Sequence, residues 1–135
     1  MKLDNTLIGY VTLFEQVTRV PVKDCFVDKR ETLVFIVQDV YVGKAIGKQA
    51  VNLKKLFHLT KKKLKIIGYN ANVCTFIKHI LSPLKVDEIT LENNIVTIKS
   101  SDVSVKAKII GRNKENLNTL KELVKIYFPV DIVVA

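Results

Sequence analysis

Cysteine is scarce: the 135 residues hold two, Cys25 and Cys74, with no C-x-x-C pair. That excludes a disulfide framework and a zinc-ligand spacing, and because each falls in an apolar periodic segment, both are expected to be buried thiols. Glycine and proline are also few, 5 and 3, which excludes a low-complexity or collagen-like chain. No apolar run approaches the ~18 residues that a membrane span requires, and Asp4 comes too early for the apolar core of a signal peptide. A cytoplasmic protein without membrane contact is therefore expected. The most informative gap is local: residues 44–65 hold eight lysines and no acidic residue. Solubilising surfaces intersperse both signs, so this stretch favours contact with a polyanion over a merely solvated helix face.

What is present is a folding composition, 48% hydrophobic, with a formal net charge of +9. The charge is unevenly placed. Residues 1–70 carry 13 basic and 6 acidic side chains, and residues 71–135 carry 9 and 7. The length suits one ordinary domain or two very small ones, since ~60-residue domains lie near the lower limit of independent stability.

Hydrophobic periodicity decides for two. Leu7, Tyr10, Val11, Phe14 and Val17 follow the helical rule and predict a helix over residues 4–19, stopped by Pro21. DCFVD and LVFIVQ predict two strands. After the glycine-bearing DVYVGKAIG comes a second helical pattern, with Leu53, Leu56, Phe57 and Thr60 on an apolar face and Lys54, Lys55, His58, Lys61 and Lys62 opposite. LKIIGY closes the unit as a strand. The order then recurs: a helix carrying Val73, Phe76, Ile77, Ile80 and Leu81, a hairpin turning at Asn93-Asn94, another glycine-bearing stretch, a helix over about residues 114–127, and the strand VDIVVA. An offset of 64 pairs Leu13 with Ile77 and Val27 with Leu91, slips within the hairpin, and returns to pair Lys44 with Lys108, Gly47 with Gly111, Lys48 with Arg112 and Asn52 with Asn116. Amphipathic patterns align cheaply, whereas matched lysines, glycines and asparagines do not.

The repeated phrase is KAIGKQAVNLKKL at residues 44–56 and KIIGRNKENLNTL at residues 108–120. A glycine followed by the opening amides of a helix suits a phosphate; Lys48 and Arg112 can reach backbone oxygens, and Ile46, Ile110, Leu53 and Leu117 can wall unstacked bases. Gly43 and Gly47 form G-x-x-x-G, for which a structural role, a close helix contact or a simple turn, is at least as good a reading of Gly43 as direct contact with a ligand. It is not a P-loop, since three residues rather than four separate the glycines and Gln49 follows Lys48. His58 and His79 lack partners at metal-ligand spacing, Asp87 and Glu88 open a strand and face solvent, and no serine or cysteine sits in a nucleophile elbow. Neither an enzyme nor a metal or cofactor site is expected.

At IGKQAVNL and IGRNKENL the chain resembles the KH family, whose G-x-x-G loop between two helices clamps roughly four nucleotides of a single strand. The helix-strand-strand-helix-helix-strand order is that of the type II form, and two such units, the first led by LFEQVTRVPVKDCFVD, resemble the short archaeal NusA-like transcription factors. The resemblance implies an α/β (α+β) fold of two tandem type II KH domains, residues 1–70 and 71–135, each a three-stranded mixed sheet packed by three helices. It implies no polymerase-binding N-terminal region and no separate RNA-binding barrel. Together with the residues it gives a candidate RNA-contacting set: Lys44, Ile46, Gly47, Lys48, Gln49, Ala50, Lys54 and Lys55 in the first unit, and Lys108, Ile110, Gly111, Arg112, Asn113 and Lys114 in the second. Single-stranded RNA is the implied partner, with RNA polymerase or ribosomal components beside it. Both loops depart from the family by replacing the second glycine, with Ala50 and Lys114. That departure leaves room for two other functions: a protein-interaction adaptor on a KH scaffold that has lost RNA, or a ribosome-associated KH protein.

Overall fold

The structure, a computed structural model, describes residues 4–135; Met1, Lys2 and Leu3, part of the N-terminal stretch considered above, lie outside the described residues. The chain divides into two compact units, one closing at Asn70 and the other running Ala71–Ala135.

In the first unit α1 (Asn5–Thr18) is opened by Asp4, whose side chain accepts the Leu7 amide at 2.8 Å and so satisfies one of the amides that a helix start leaves unpaired. It closes at Arg19, which turns left-handed with its amide on the Glu15 carbonyl. β1 (Asp24–Val27) and β2 (Leu33–Gln38) form an antiparallel pair. Their connection is held by Asp28, which accepts the amides of Arg30 at 2.8 Å and Thr32 at 2.9 Å. A 3₁₀ turn (Asp39–Tyr41), α2 (Val42–Ile46) and α3 (Val51–Thr60) cross back to β3 (Leu64–Tyr69), parallel to β2. The sheet order is β1-β2-β3. Leu33, Phe35 and Val37 alternate onto the face under the helices, where they meet Phe14, Ala45 and Leu56. Phe14 stacks on Phe35 with ring centroids 4.2 Å apart, a contact worth ~0.5–1.5 kcal/mol beyond the area it buries.

The second unit repeats the plan. Asn72 caps α4 (Val73–Leu81) through the Thr75 amide. β4 (Glu88–Glu92) and β5 (Ile95–Lys99) are joined by Asn93 and Asn94 at φ 53° and 60°, the doubly left-handed turn whose twist matches a hairpin. α5 (Val103–Ile110), capped by Asp102, and α6 (Glu115–Lys125) lead to β6 (Asp131–Val134), parallel to β5. The core gathers Val73, Ile77, Val96, Ile98, Leu120, Val124 and Ile132. Each unit is thus a three-stranded mixed sheet packed by three helices in the type II KH order.

Three details differ from the sequence expectation. α6 ends at Lys125, and Tyr127 lies beyond it, edge-on to Phe76 at 5.6 Å. Cys74 is only half-buried, whereas Cys25 is fully buried. Phe57, read from its spacing as an inward residue, is 51% exposed. On α3 it lies 100° round from Leu56, and Leu56 takes the buried position.

Candidate nucleic-acid interface

The two loops have the same backbone. After α2, Gly47 stands at φ 80°, ψ 167°, followed by Gln49 at 55°, 32° and Ala50 at 59°, 30°. After α5, Gly111 stands at 72°, 173°, followed by Asn113 at 55°, 31° and Lys114 at 61°, 21°. The glycines occupy a region that is essentially closed to side-chain-bearing residues. Ala50 and Lys114, where the family has its second glycine, adopt left-handed geometry regardless, and each serves as N-cap of the following helix.

Hydrogen bonds account for part of each loop. The Gly47 amide bonds to the Gly43 carbonyl at 3.0 Å and the Ala50 amide to the Gly47 carbonyl at 3.1 Å; the Gly111 amide bonds to the Ala107 carbonyl at 2.8 Å and the Lys114 amide to the Gly111 carbonyl at 3.2 Å. Gly43 lies inside α2, where its carbonyl accepts the amide that closes the helix, so it forms no turn of its own. A Cβ there would meet nothing within 4 Å, so the close-helix-contact alternative falls. Between these bonded positions, the amides of Lys48 and Gln49, and of Arg112 and Asn113, have no acceptor among the described residues. In each pair the second residue is left-handed and the first is not, and neighbouring N–H groups in a turn of this kind can make an anion-binding concavity.

A residue type that the sequence marked only as repeated proves to close the loop. The Asn52 side chain donates through Nδ2 to the Lys44 carbonyl at 3.2 Å, and Asn116 donates to the Lys108 carbonyl at 2.9 Å. Each ties the helix after the loop to the helix before it. The carboxamide also fills the space where the glycine lacks a side chain: a Cβ on Gly47 would lie 3.0 Å from Asn52 Cγ, and one on Gly111 would lie 2.6 Å from Asn116 Cγ. Glycine and asparagine, five residues apart in both repeats, are thus one device. That shared spacing was the available signal.

The side chains of Lys44, Lys48, Gln49, Lys54 and Lys55 are exposed, as are those of Lys108, Arg112, Asn113 and Lys114, while Ile46, Ala50 and Ile110 are half-buried beside them. Leu53 is half-buried, but Leu117 belongs to the core of its unit, which removes it from the apolar wall. Lys62 is also taken from the free basic face, being partly buried and paired with Glu31 at 3.4 Å. Lys44, Lys48, Lys54, Lys55 and Lys61 have no carboxylate within ion-pair distance among the described residues. In the second unit Glu115 opens α6 and Lys121 lies 3.5 Å from Asp131. The backbone amide of Ile132 and the Lys121 ammonium hold the Asp131 carboxyl below the usual carboxylate range. The loops match in backbone and differ in electrostatic surroundings. Among the described residues, no group of three or more His, Cys, Asp or Glu is placed to hold a metal ion, and no helix is long and apolar enough to cross a membrane.

No family model matches the sequence. A protein of Methanococcus vannielii named as a probable transcription termination protein NusA is 30% identical over 121 residues, covering 87% of this chain and 69% of the relative. Proteins of the same name from Methanocaldococcus jannaschii and Halococcus morrhuae are 28% and 25% identical, over 93% and 96% of this chain and 69% and 94% of their own lengths. The crystal structure of APE1850 matches with a TM-score of 0.73 at 23% identity, over 98% of this chain and all of that one, a likeness of fold. With relatives that similar over most of its length, the chain belongs to the archaeal NusA-like family.

Proposed function

We propose that the chain is a single-stranded RNA-binding factor that acts in transcription termination or elongation, as the names of its relatives suggest, with each loop gripping the nucleic-acid backbone. The observation that carries this is the matched pair of unengaged amides, at Lys48 and Gln49 and at Arg112 and Asn113, beside exposed cations. They can receive phosphate oxygens, while half-buried Ile46 and Ile110 border the bases. Two weak sites on one chain raise each other's effective concentration, which gives the duplication a use. The reading is one of binding rather than catalysis. It sets the protein in the cytoplasm, on nascent RNA beside RNA polymerase. An adaptor without RNA was favoured chiefly by the missing second glycine. Ala50 and Lys114 weaken that ground, because they hold the left-handed geometry a glycine would supply.

The test is binding of a short single-stranded oligoribonucleotide at two salt concentrations. Affinity should fall as salt rises, because phosphate contacts release counterions. Lys48→Asp should weaken binding and lower the salt slope by ~0.7 for each phosphate no longer neutralised. Absence of binding even at low salt would contradict the proposal and leave the adaptor.

A further inference from the structure

Phe57 sits in the middle of the acid-free stretch and is 51% exposed. Three residues before it on α3 is Lys54, a spacing that places side chains on a common face of a helix, and four after it Lys61 caps the helix in left-handed geometry with its side chain exposed. Neither lysine has a carboxylate within ion-pair distance among the described residues. The other exposed apolar residues of α3 do not extend this spot. Leu59 is two residues on and Val51 six residues back, which puts Leu59 about 200° and Val51 about 120° away around the axis. An exposed aromatic ring flanked by cations, with only half-buried Leu53 one turn back beside it, is poor material for a protein interface, which needs a contiguous apolar core. It is the composition of a stacking platform for bases, where a positive track holds the backbone and a ring takes the π-face. The second unit has no equivalent: 64 residues further on stands Lys121, paired with Asp131.

We infer that Phe57, between Lys54 and Lys61, is a base-stacking subsite for single-stranded RNA that extends the first loop's grip along α3. This rests on the RNA-binding reading above. Six residues of helix, ~9 Å along the axis, separate Val51 at the loop from Phe57. A tetranucleotide is taken up by the loop, which clamps roughly four nucleotides, and an octanucleotide has bases left to reach the ring.

The chain contains no tryptophan, so Phe57→Trp installs a single reporter at the subsite. Titration with a mixed-sequence octaribonucleotide should quench its emission. Phe57→Leu, which keeps apolar bulk and removes the ring, should lose affinity for the octamer by on the order of tenfold and with it most of the octamer's advantage over a tetramer. Its salt slope should match that of the parent, because stacking displaces no counterion. An unquenched indole signal from Phe57→Trp, with Phe57→Leu binding the octamer as the parent does, would overturn the subsite; Lys48→Asp weakening both oligomers in the same experiment would show that the loop reading survives it. A parent protein that binds neither oligomer at low salt would overturn both.

Discussion

At the scale of single residues, the loops carry strain that a different side chain would relieve. Ala50 and Lys114 hold φ of 59° and 61°, where an L-residue costs roughly 1–2 kcal/mol. Glycine has no such cost and is an acceptable N-cap. Ala50→Gly and Lys114→Gly should each raise the free energy of unfolding by ~0.5–1 kcal/mol after the extra flexibility of the unfolded chain is subtracted, read from chemical denaturation. Gly111→Ala should do the reverse and cost at least ~1–3 kcal/mol, because it meets both a closed region of backbone space and the Asn116 carboxamide. A stabilised Gly111→Ala would contradict the geometry described. The buried thiol leads to a separate prediction. Burial, with the Asp24 carboxylate adding to it, pushes Cys25 from 9.0 up to about 12, so folding favours its neutral form. That contribution is fully present below pH 9 and is lost as pH rises from there through the folded-state value. Denaturation series above pH 9 should accordingly show Cys25→Ala losing less stability than the parent, and a thiol reagent at neutral pH should modify half-buried Cys74 before Cys25.

At the scale of elements, the order of helices and strands was legible because periods of 3.6 and 2 alternate cleanly and Pro21 and the Asn93-Asn94 turn punctuate them. The slip in the repeat is explained by the two hairpins: a five-residue connection caged by Asp28 in one unit stands against a two-residue turn in the other. Burial at the margin of a helix face was not legible. Periodicity says that Phe57 neighbours Leu56 and Leu53, but not how wide a stripe the packing partner covers, and that width decides between core and surface. The same limit hid Leu117, whose spacing fits a groove wall and a core equally. The role of the asparagines escaped for another reason: the repeat spacing marked Asn52 and Asn116, but a bond to a carbonyl eight residues back leaves no local pattern that shows what they hold. They should matter to both loops. Asn52→Ala and Asn116→Ala should each cost about 1 kcal/mol of stability, and amide hydrogen exchange should quicken first at the loop and the adjoining helix ends. Unchanged exchange there would show that the hydrogen bonds at 3.2 and 2.9 Å close nothing.

At the scale of the whole molecule, one loop design appears twice in different electrostatic settings. The half with 13 basic and 6 acidic residues should dominate the salt dependence of RNA binding, and the half with 9 and 7 should contribute less to it: Lys48→Asp should flatten the slope more than Arg112→Asp does. More central than that ranking is the proposal that a nucleotide's phosphate is received at the amides left without acceptors in the two loops. Backbone amide NMR during titration with a short single-stranded oligoribonucleotide measures this directly. The signals of Lys48, Gln49, Arg112 and Asn113 should shift furthest, with saturation tracking binding; RNA that binds while those four signals stay in place would contradict the assignment.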